Sequence, residues 1–432
     1  MSPQELHQSR LRRAAVDGIR QKPMVDLTGA TLAVIGLDPD GFSLAKAAAA
    51  HGFETVGFDA DEVKVAQLDA AGGQSTERNL SITTDGSQLR KADVFIVCTG
   101  SSLPGAPDLA HLEAASATVG ENLREGSLVI VSTVVFPGVC DHVVLPILER
   151  TSGLARQAPG SRGDFFFAHA PVLQSRGAPR IIGASDHESL ARAAAFYRIF
   201  PNEIISLPSV KEAEAVRMVE DSLHDASLAI AGEFSVLFDR IGIDIVSVLG
   251  AVRPESLDTW SLSGVGIPRS SPSAYYLARS GHEHEIDRQF LTSARRIVEH
   301  MPEYATVVLF DALREQKKPL KGTRVALLGL SDLEGKAAEK SVGLRIRDAL
   351  VRKGADVKAY DPYVTGAGST LKETLEGADA VVIASRHAMF CNLHARQFEE
   401  FGISIVVDAC NCLDKRSFEN SPVVYRGIGR GT

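Results

Sequence analysis

The first residues that could do chemistry are six in a row, Gly36-Leu37-Asp38-Pro39-Asp40-Gly41. They follow the apolar run Thr31–Gly36, a buried strand stopped by glycine, and precede the alanine-rich Ser43–His51, a helix by composition. Strand, glycine turn and helix in that order can place a diphosphate against backbone N–H groups at a helix N-terminus. The dinucleotide fingerprint G-x-G-x-x-G needs its first glycine for the turn, its second for close approach and its third for helix–strand packing. Gly36 and Gly41 fill the first and third positions. Asp38 stands at the second, where a side chain obstructs a pyrophosphate and a carboxylate repels it. Asp59 lies about 20 residues on, where an acid takes the ribose hydroxyls. NAD is thus the cofactor the pattern admits, with Asp38 against it; the alternative is a doubly wound domain that binds no dinucleotide.

A second set of polar groups lies on one long helical stretch, Ser209 to Gly242. Val216, Val219, Leu223, Ala226, Ile230, Phe234, Leu237 and Ile241 recur at steps of three and four and predict one apolar stripe. Ser209 and Glu212 have capping-box spacing, and Gly242 can supply the left-handed residue that ends a helix. At 1.5 Å per residue this helix would be about 45–50 Å long, enough to link two domains and to offer a surface to a second subunit. Its polar face carries Arg217, Glu220, Asp221, His224 and Ser227, and is either solvated or part of a site. Arg217 and Asp221 have the spacing of a helix-surface ion pair. The five cysteines, Cys98, Cys140, Cys391, Cys410 and Cys412, show no metal-ligand spacing apart from one C-x-C pair, so no metal is expected.

The elements that must position these groups alternate strand and helix. Phe53–Phe58, Ala92–Cys98, Ser127–Val131, Phe165–Phe167 and Arg180–Ile182 read as further strands, which indicates an α/β fold with a doubly wound parallel sheet. Ile245–Leu249 reads as helix, Pro254–Ser273 as loop and Tyr275–His300 as helix, with a new helix opening near Pro302. Gln316–Gly322 reads as a domain boundary. The opening theme then repeats: TRVALLGL (323–330) echoes TLAVIGL (31–37), KGADVKAYDPY (353–363) echoes HGFETVGFDAD (51–61), and GADAVVIAS (377–385) echoes KADVFIVCT (91–99). The expected organisation is an N-terminal arm (1–28), a Rossmann-like domain (29–205), a central helical region (206–318) and a second Rossmann-like domain (319–432). A net charge of −8 over 432 residues argues against nucleic acid or an anionic membrane as partner. No apolar run is long enough to span a bilayer and the first residues lack a secretory pattern, so a reducing cytoplasm is the expected location.

The chain resembles the UDP-glucose/GDP-mannose (nucleotide-sugar) dehydrogenases from about residue 30 to the end. The resemblance is carried by GFETVGFDADEVKV (52–65), STVVFPG (132–138), the stretch 212–244, GADVKAYDPYV (354–364) and YRGIGRG (425–431). It implies an NAD domain, a central helix that forms a homodimer and a C-terminal domain that helps hold the nucleotide sugar. It also implies oxidation of a sugar C6 hydroxyl to a carboxylate in two NAD-dependent steps, through a thiohemiacetal on a cysteine. Gly36, Gly41, Asp59, Thr99, Ser132 and Thr133 then fall at cofactor positions, Thr133 where the family orients a water or hydroxyl. Gly264, Gly266, Tyr275 and Arg295 fall at substrate positions.

Several of the family's reactive groups are replaced. Its nucleophile loop G-x-C-I-P matches Gly264-Val265-Gly266-Ile267-Pro268, with Gly266 in place of the thiol. Its central-helix lysine matches Arg217, which keeps the charge but cannot act as a base near neutral pH. The asparagine four residues on matches Asp221. Its Pro-Glu pair matches Pro171-Val172, its late D-x-R-N arginine matches Cys410, and its Thr-Pro element is Gly100-Ser101. The loop 331–341 lacks the family's usual sequence. Three readings follow. The chain is a nucleotide or nucleotide-sugar binding protein that has lost the four-electron oxidation; it performs other chemistry on a nucleotide-derived ligand with His169, His224, Asp221 and Arg217; or it is an NAD-dependent oxidoreductase limited to a two-electron step.

Overall fold

Strand Thr31–Ile35 (β1) is buried on both faces, with Leu32 and Val34 in one core and Ala33 and Ile35 in the other. Apolar residues without alternation suit a strand covered by helices on both sides. The computed structural model of the chain describes residues 27, 29–70, 79–99, 109–157, 163–171, 179–200, 203–252, 289–331, 341–364 and 370–431. Outside these lie most of the expected N-terminal arm, Gly100-Ser101, Val172, Gly264, Gly266, Tyr275 and nearly all of the loop 331–341. The described residues fall into two compact units that meet in sequence at Glu220 and Asp221.

The first unit holds an eight-stranded sheet. After β1 come Glu54–Phe58 (β2), Leu80–Thr83 (β3), Val94–Val97 (β4), Leu128–Val131 (β5), Phe166–His169 (β6), Arg180–Ala184 (β7) and Ile204–Leu207 (β8). Their order is β3-β2-β1-β4-β5-β6-β7-β8, parallel throughout except for the antiparallel pair β6–β7. The chain reverses direction of growth between β1 and β4, so the crevice for a ligand lies at the carboxyl ends of those strands. The first helix begins at Pro39, earlier than the alanine-rich segment alone suggests, because proline at the first helical position is already fixed near helical φ.

The second unit repeats the arrangement with five parallel strands, Arg324–Leu328 (β9), Asp356–Tyr360 (β10), Ala380–Ile383 (β11), Ile405–Asp408 (β12) and Val424–Gly427 (β13), in the order β10-β9-β11-β12-β13. The internal echo in the sequence is therefore an echo in topology, β10-β9-β11 standing for β2-β1-β4. The helix Gln289–Glu315 runs straight through Pro302, where the sequence suggests a new helix opening. Its buried row Met301, Ala305, Leu309, Ala312 and Leu313 packs into the second core, and that burial outweighs the backbone bond Pro302 cannot donate.

The long central helix spans Val210–Ile241. Ser209 Oγ accepts from the Glu212 N–H at 3.1 Å, and Gly242 is left-handed at φ +72°, so both ends form as their residue types require. Its burial does not follow the predicted stripe: Val216, Ala226 and Ile230 are half-buried, and Met218, Leu228 and Ala229 are buried on the opposite side beside charged residues. Within the stripe Val219 at 53 %, Leu223 at 60 %, Leu237 at 51 % and Ile241 at 57 % are exposed, while Glu214, Arg217, Asp221 and Asp225 are buried. Of the predicted polar face, Arg217 and Asp221 are buried, His224 and Ser227 half-buried and Glu220 exposed. Periodicity located the stripe but could not say which side faces water.

The two units share a steric device. Gly36 (φ +93°) and Gly329 (φ +102°) make the turns after β1 and β9, and the helices that follow bring Gly41 and Gly343 against them. A Cβ on Gly41 would lie 2.0 Å from the Gly36 carbonyl oxygen, and one on Gly343 2.1 Å from that of Gly329. Each of Gly41→Ala and Gly343→Ala is expected to destabilise its unit by about 2 kcal/mol, the cost of overpacking against backbone that cannot move aside. Urea unfolding followed by circular dichroism measures it; an unchanged midpoint would contradict the close approach.

Candidate functional site

The glycine turn of the first unit is held by a carboxylate from the next strand. Asp59, just past β2, accepts from the Leu37 N–H at 2.8 Å and the Asp61 N–H at 3.0 Å, and is buried. Lys64, one turn into the helix Glu62–Ala70, places its Nζ 2.9 Å from Asp59 Oδ2 and 3.0 Å from Asp38 Oδ1. Burial pushes the Asp59 carboxyl up, but Lys64 and the two N–H groups outweigh it and hold the carboxyl below its usual range. Burial pulls the Lys64 ammonium down, and the two carboxylates more than offset that, so it stays charged.

Asp38 precedes the first helix with φ −60° and ψ 163°, an extended conformation that any residue adopts. Glycine is therefore not needed there for backbone shape. Its side chain makes no cap bond, and its charge is drawn to Lys64. The expected repulsion of a diphosphate is offset by this pairing, while the bulk of the side chain remains. Gly36 and Gly41 make the cradle, Gly36 so close to the end of β4 that a Cβ would be 3.0 Å from the Thr99 nitrogen. The residues present fit a dinucleotide at the turn, the helix packing and the acid.

Thr99 and Thr133 follow β4 and β5, and their hydroxyls are 3.1 Å apart; Thr133 also donates to the Val97 carbonyl at 3.3 Å. Ser132 points into the core, its hydroxyl 3.1 Å from that of the buried Tyr197, whose ring lies under the Arg180 guanidinium at 4.5 Å. Of the residues expected at the cofactor, the fold gathers Gly36, Gly41, Asp59, Thr99 and Thr133 at the carboxyl ends of β1, β2, β4 and β5 and spends Ser132 on packing.

Glu214, on the central helix, accepts from the Gly138 N–H at 2.6 Å and the Cys140 N–H at 2.8 Å, one on each carboxylate oxygen. This bidentate bond anchors the STVVFPG segment, in which Gly138 turns at φ +99°. Burial raises the Glu214 carboxyl above its usual value even though the two N–H groups oppose it. Burial pulls His169 down to about 3, so it is neutral at physiological pH, with Nδ1 3.8 Å from the Cys140 sulfur. That rules against His169 as an acid–base group near neutral pH. Burial pushes the Cys98 thiol up to about 12 and Cys140 well above the ordinary thiol range.

In the second unit Asp361 takes the place of Asp59. It accepts from the Leu330 and Ser331 N–H groups, both at 2.7 Å, from the Ser331 hydroxyl at 2.8 Å and from the Tyr363 N–H at 2.8 Å, with His387 Nε2 at 3.3 Å. Arg295 is bound to Asp225 at 3.0 Å and to Glu299 at 3.0 Å, so it joins two helices of the second unit. Lys64, Glu214 and His387 carried no sequence signal of their own. Asp361 did, since it occupies the position of Asp59 in the echoed segments.

Residues 30–201 match the model described as UDP-glucose/GDP-mannose dehydrogenase family, NAD binding domain, and residues 336–415 that family's UDP binding domain. The UDP-N-acetyl-D-mannosamine dehydrogenase of Pyrococcus horikoshii is 29 % identical over 430 residues, 93 % of this chain and 99 % of the relative. The UDP-N-acetyl-D-glucosamine 6-dehydrogenase of Pseudomonas aeruginosa is 26 % identical over 386 residues, 80 % of this chain and 88 % of the relative. A solved structure of the Pyrococcus horikoshii UDP-D-ManNAc dehydrogenase superposes with a TM-score of 0.79 at 27 % identity, covering 93 % of this chain and 99 % of that one. A UDP-glucose dehydrogenase of Pyrobaculum islandicum shares the fold with a TM-score of 0.78 at 22 % identity, covering 95 % and 99 %.

Because Asp59 titrates below its unfolded value in the folded chain, it stabilises the fold above the ordinary carboxylate pKa of about 3.9, and that contribution fades as pH falls through its lower folded value. Asp59→Asn should cost about 2 kcal/mol at pH 7, the scale of hydrogen bonds to a charged group. The gap to wild type should narrow as pH falls below the ordinary carboxylate value of about 3.9. Denaturant midpoints across pH check this; a cost independent of pH would mean that the charge plays no part.

Proposed function

The chain belongs to the UDP-glucose/GDP-mannose dehydrogenase family, and from that premise we propose that it binds a UDP-sugar without carrying out the thiol-dependent four-electron oxidation. The observation that carries this reading is the state of the thiols where a nucleophile would be needed. The loop 264–268 has Gly266 in place of cysteine. The two cysteines of the first unit, Cys98 and Cys140, are buried with their thiols pushed up, and only a thiolate attacks an aldehyde. The further replacements support it: Arg217 cannot cycle a proton near neutral pH and Asp221 adds negative charge, and both are buried on the central helix. The UDP-N-acetylhexosamine relatives make a UDP-linked acetamido sugar the first ligand to test.

A second reading is favoured by Lys64. By pairing with both Asp38 and Asp59 it offsets one of their two negative charges at a glycine turn that can take a diphosphate, with Gly36 and Gly41 giving close backbone and Asp59 placed for a ribose. A nicotinamide cofactor bound there would accept hydride from an alcohol. Thr133, beside Thr99, would orient the reacting hydroxyl, and a two-electron alcohol–aldehyde step needs no thiol. His224, half-buried on the central helix, and Arg295, tied to Asp225, would act in this scheme through charge and position. We further propose a homodimer through the exposed Val219, Leu223, Leu237 and Ile241, a stripe too apolar to be left to water along so long a helix.

A thermal-shift panel of NAD, NADH and UDP-, GDP- and TDP-sugars separates the readings. UDP-sugar stabilisation without turnover supports the binding protein. Stabilisation by NADH with sugar-dependent NADH formation, stopping at the aldehyde, supports the two-electron enzyme. Formation of two NADH per sugar overturns the loss of the four-electron reaction. Lys64→Met should weaken any NADH stabilisation about tenfold in apparent affinity, the scale of one buried charged contact, and Asp38→Gly should strengthen it. Leu223→Asp should shift the chain from dimer to monomer in analytical ultracentrifugation; an unchanged dimer would place the interface elsewhere.

A further inference from the structure

Three of the five thiols meet at the carboxyl ends of β11 and β12, although the sequence shows only a C-x-C pair. Cys391 ends the short helix Ala388–Cys391 that follows β11. Cys410 and Cys412 lie on the turn after β12, whose last residue is Asp408. Cys391 stands beside Cys412, outside the tight group that Asp408 forms with Cys410 and Cys412. The donor atoms of Asp408, Cys410 and Cys412 all lie within 4.8 Å of one another. Cys410 Sγ is 3.6 Å from Asp408 Oδ1. A tetrahedral ion with a metal–sulfur bond of about 2.3 Å and a metal–oxygen bond of about 2.0 Å sets two such ligands about 3.5 Å apart.

The surroundings hold these donors in place. Asp408 Oδ2 accepts from the Leu413 N–H at 2.7 Å and the Tyr425 hydroxyl at 3.2 Å. Oδ1 is left to the Cys410 N–H at 3.3 Å and the Cys410 thiol. Asn411, between the two cysteines, takes the left-handed conformation at φ +51° and donates from Nδ2 to the Ile428 carbonyl at 2.7 Å. Gly427 makes room for this turn, since a Cβ there would lie 2.5 Å from Asn411 Oδ1 and 2.9 Å from the Tyr425 hydroxyl. A carboxylate oriented by outer partners and facing sulfur is the usual build of a metal site. Asp408 and Cys410 are buried while Cys391 and Cys412 are half-buried, which leaves one side for entry.

We propose that Asp408, Cys410 and Cys412 bind one thiophilic divalent ion of the Zn2+ class. Two sulfurs and one oxygen suit zinc and exclude magnesium and calcium, which take oxygen shells. Binding replaces each S–H by a sulfur–metal bond and releases its proton to solvent, and neither metal nor sulfur changes oxidation state. Three protein ligands leave the fourth position to water, and the ion fixes the turn after β12 at the carboxyl end of the second sheet.

The test uses the full-length chain, stripped of metal, reduced and anaerobic, titrated with Co2+ and then Zn2+. One Co2+ per chain should give the near-ultraviolet thiolate charge-transfer band and the intense visible bands of tetrahedral cobalt, and one equivalent of Zn2+ should abolish them. Cys412→Ser should lose the charge-transfer band, Cys98→Ser should keep it, and Tyr425→Phe should weaken Zn2+ binding about tenfold through its hold on Asp408. The proposal is overturned if wild type with all five thiols reduced gives no cobalt–thiolate band, or if the band persists in Cys412→Ser.

Discussion

A carboxylate set just past the second strand of each sheet holds the turn that follows the first strand. Asp59 does this through the Leu37 N–H, and Asp361 through those of Leu330 and Ser331. Both turns are made by a left-handed glycine whose neighbours cannot find helix or sheet partners, so the acid satisfies donors that would otherwise be buried unpaired. With the turn fixed, the next helix can start close to the strand, beside the carboxyl ends of β4 and β5 that carry Thr99 and Thr133. The same acids are then partly committed before any ligand arrives. Asp361 is the more fully used, with four donors and His387 around it.

The central helix shows how far burial can override pattern. Its buried side carries Glu214, Arg217, Asp221 and Asp225, and charges are costly to bury unless they are bonded. Glu214 meets this cost with two backbone N–H groups and Asp225 with Arg295. Both carboxyls are nevertheless raised above their usual values, because desolvation outweighs those partners. A helix that buries four charged residues beside Met218 and Leu228 while exposing Leu223 and Leu237 spends stability on chemistry or assembly, and reads as neither a simple core helix nor a solvated one.

Much of the fold was legible in the residues. Six of the eight strands of the first sheet were readable from their apolar runs, while the short outer strands β3 and β8 were not, and the echo of TLAVIGL in TRVALLGL located the second sheet. Local rules failed where tertiary packing decides. Pro302 suggests a helix start, yet the buried row from Met301 to Leu313 carries one helix through it. The stripe on the central helix was found and its direction was not, since periodicity is silent about which face meets solvent. At the site, Gly36, Gly41 and Asp59 were readable because backbone geometry demands them. Lys64 was not, because its role arises from reaching two carboxylates far apart in sequence, and Cys391 was not, because only the fold brings it to Cys412.

The paired glycine contacts bear on how much an inherited motif says about a ligand. A side chain at Gly41 would strike the Gly36 carbonyl whether or not any nucleotide is ever bound, and Gly343 stands in the same relation to Gly329. Selection for a folded chain alone would retain both pairs through any length of evolutionary drift. Only the middle position of the fingerprint answers to the ligand and not to the scaffold, and here Asp38 occupies it. A surviving outer glycine is therefore a record of architecture, and inherited motifs of this kind should be weighed by which of their letters the fold would have preserved unaided.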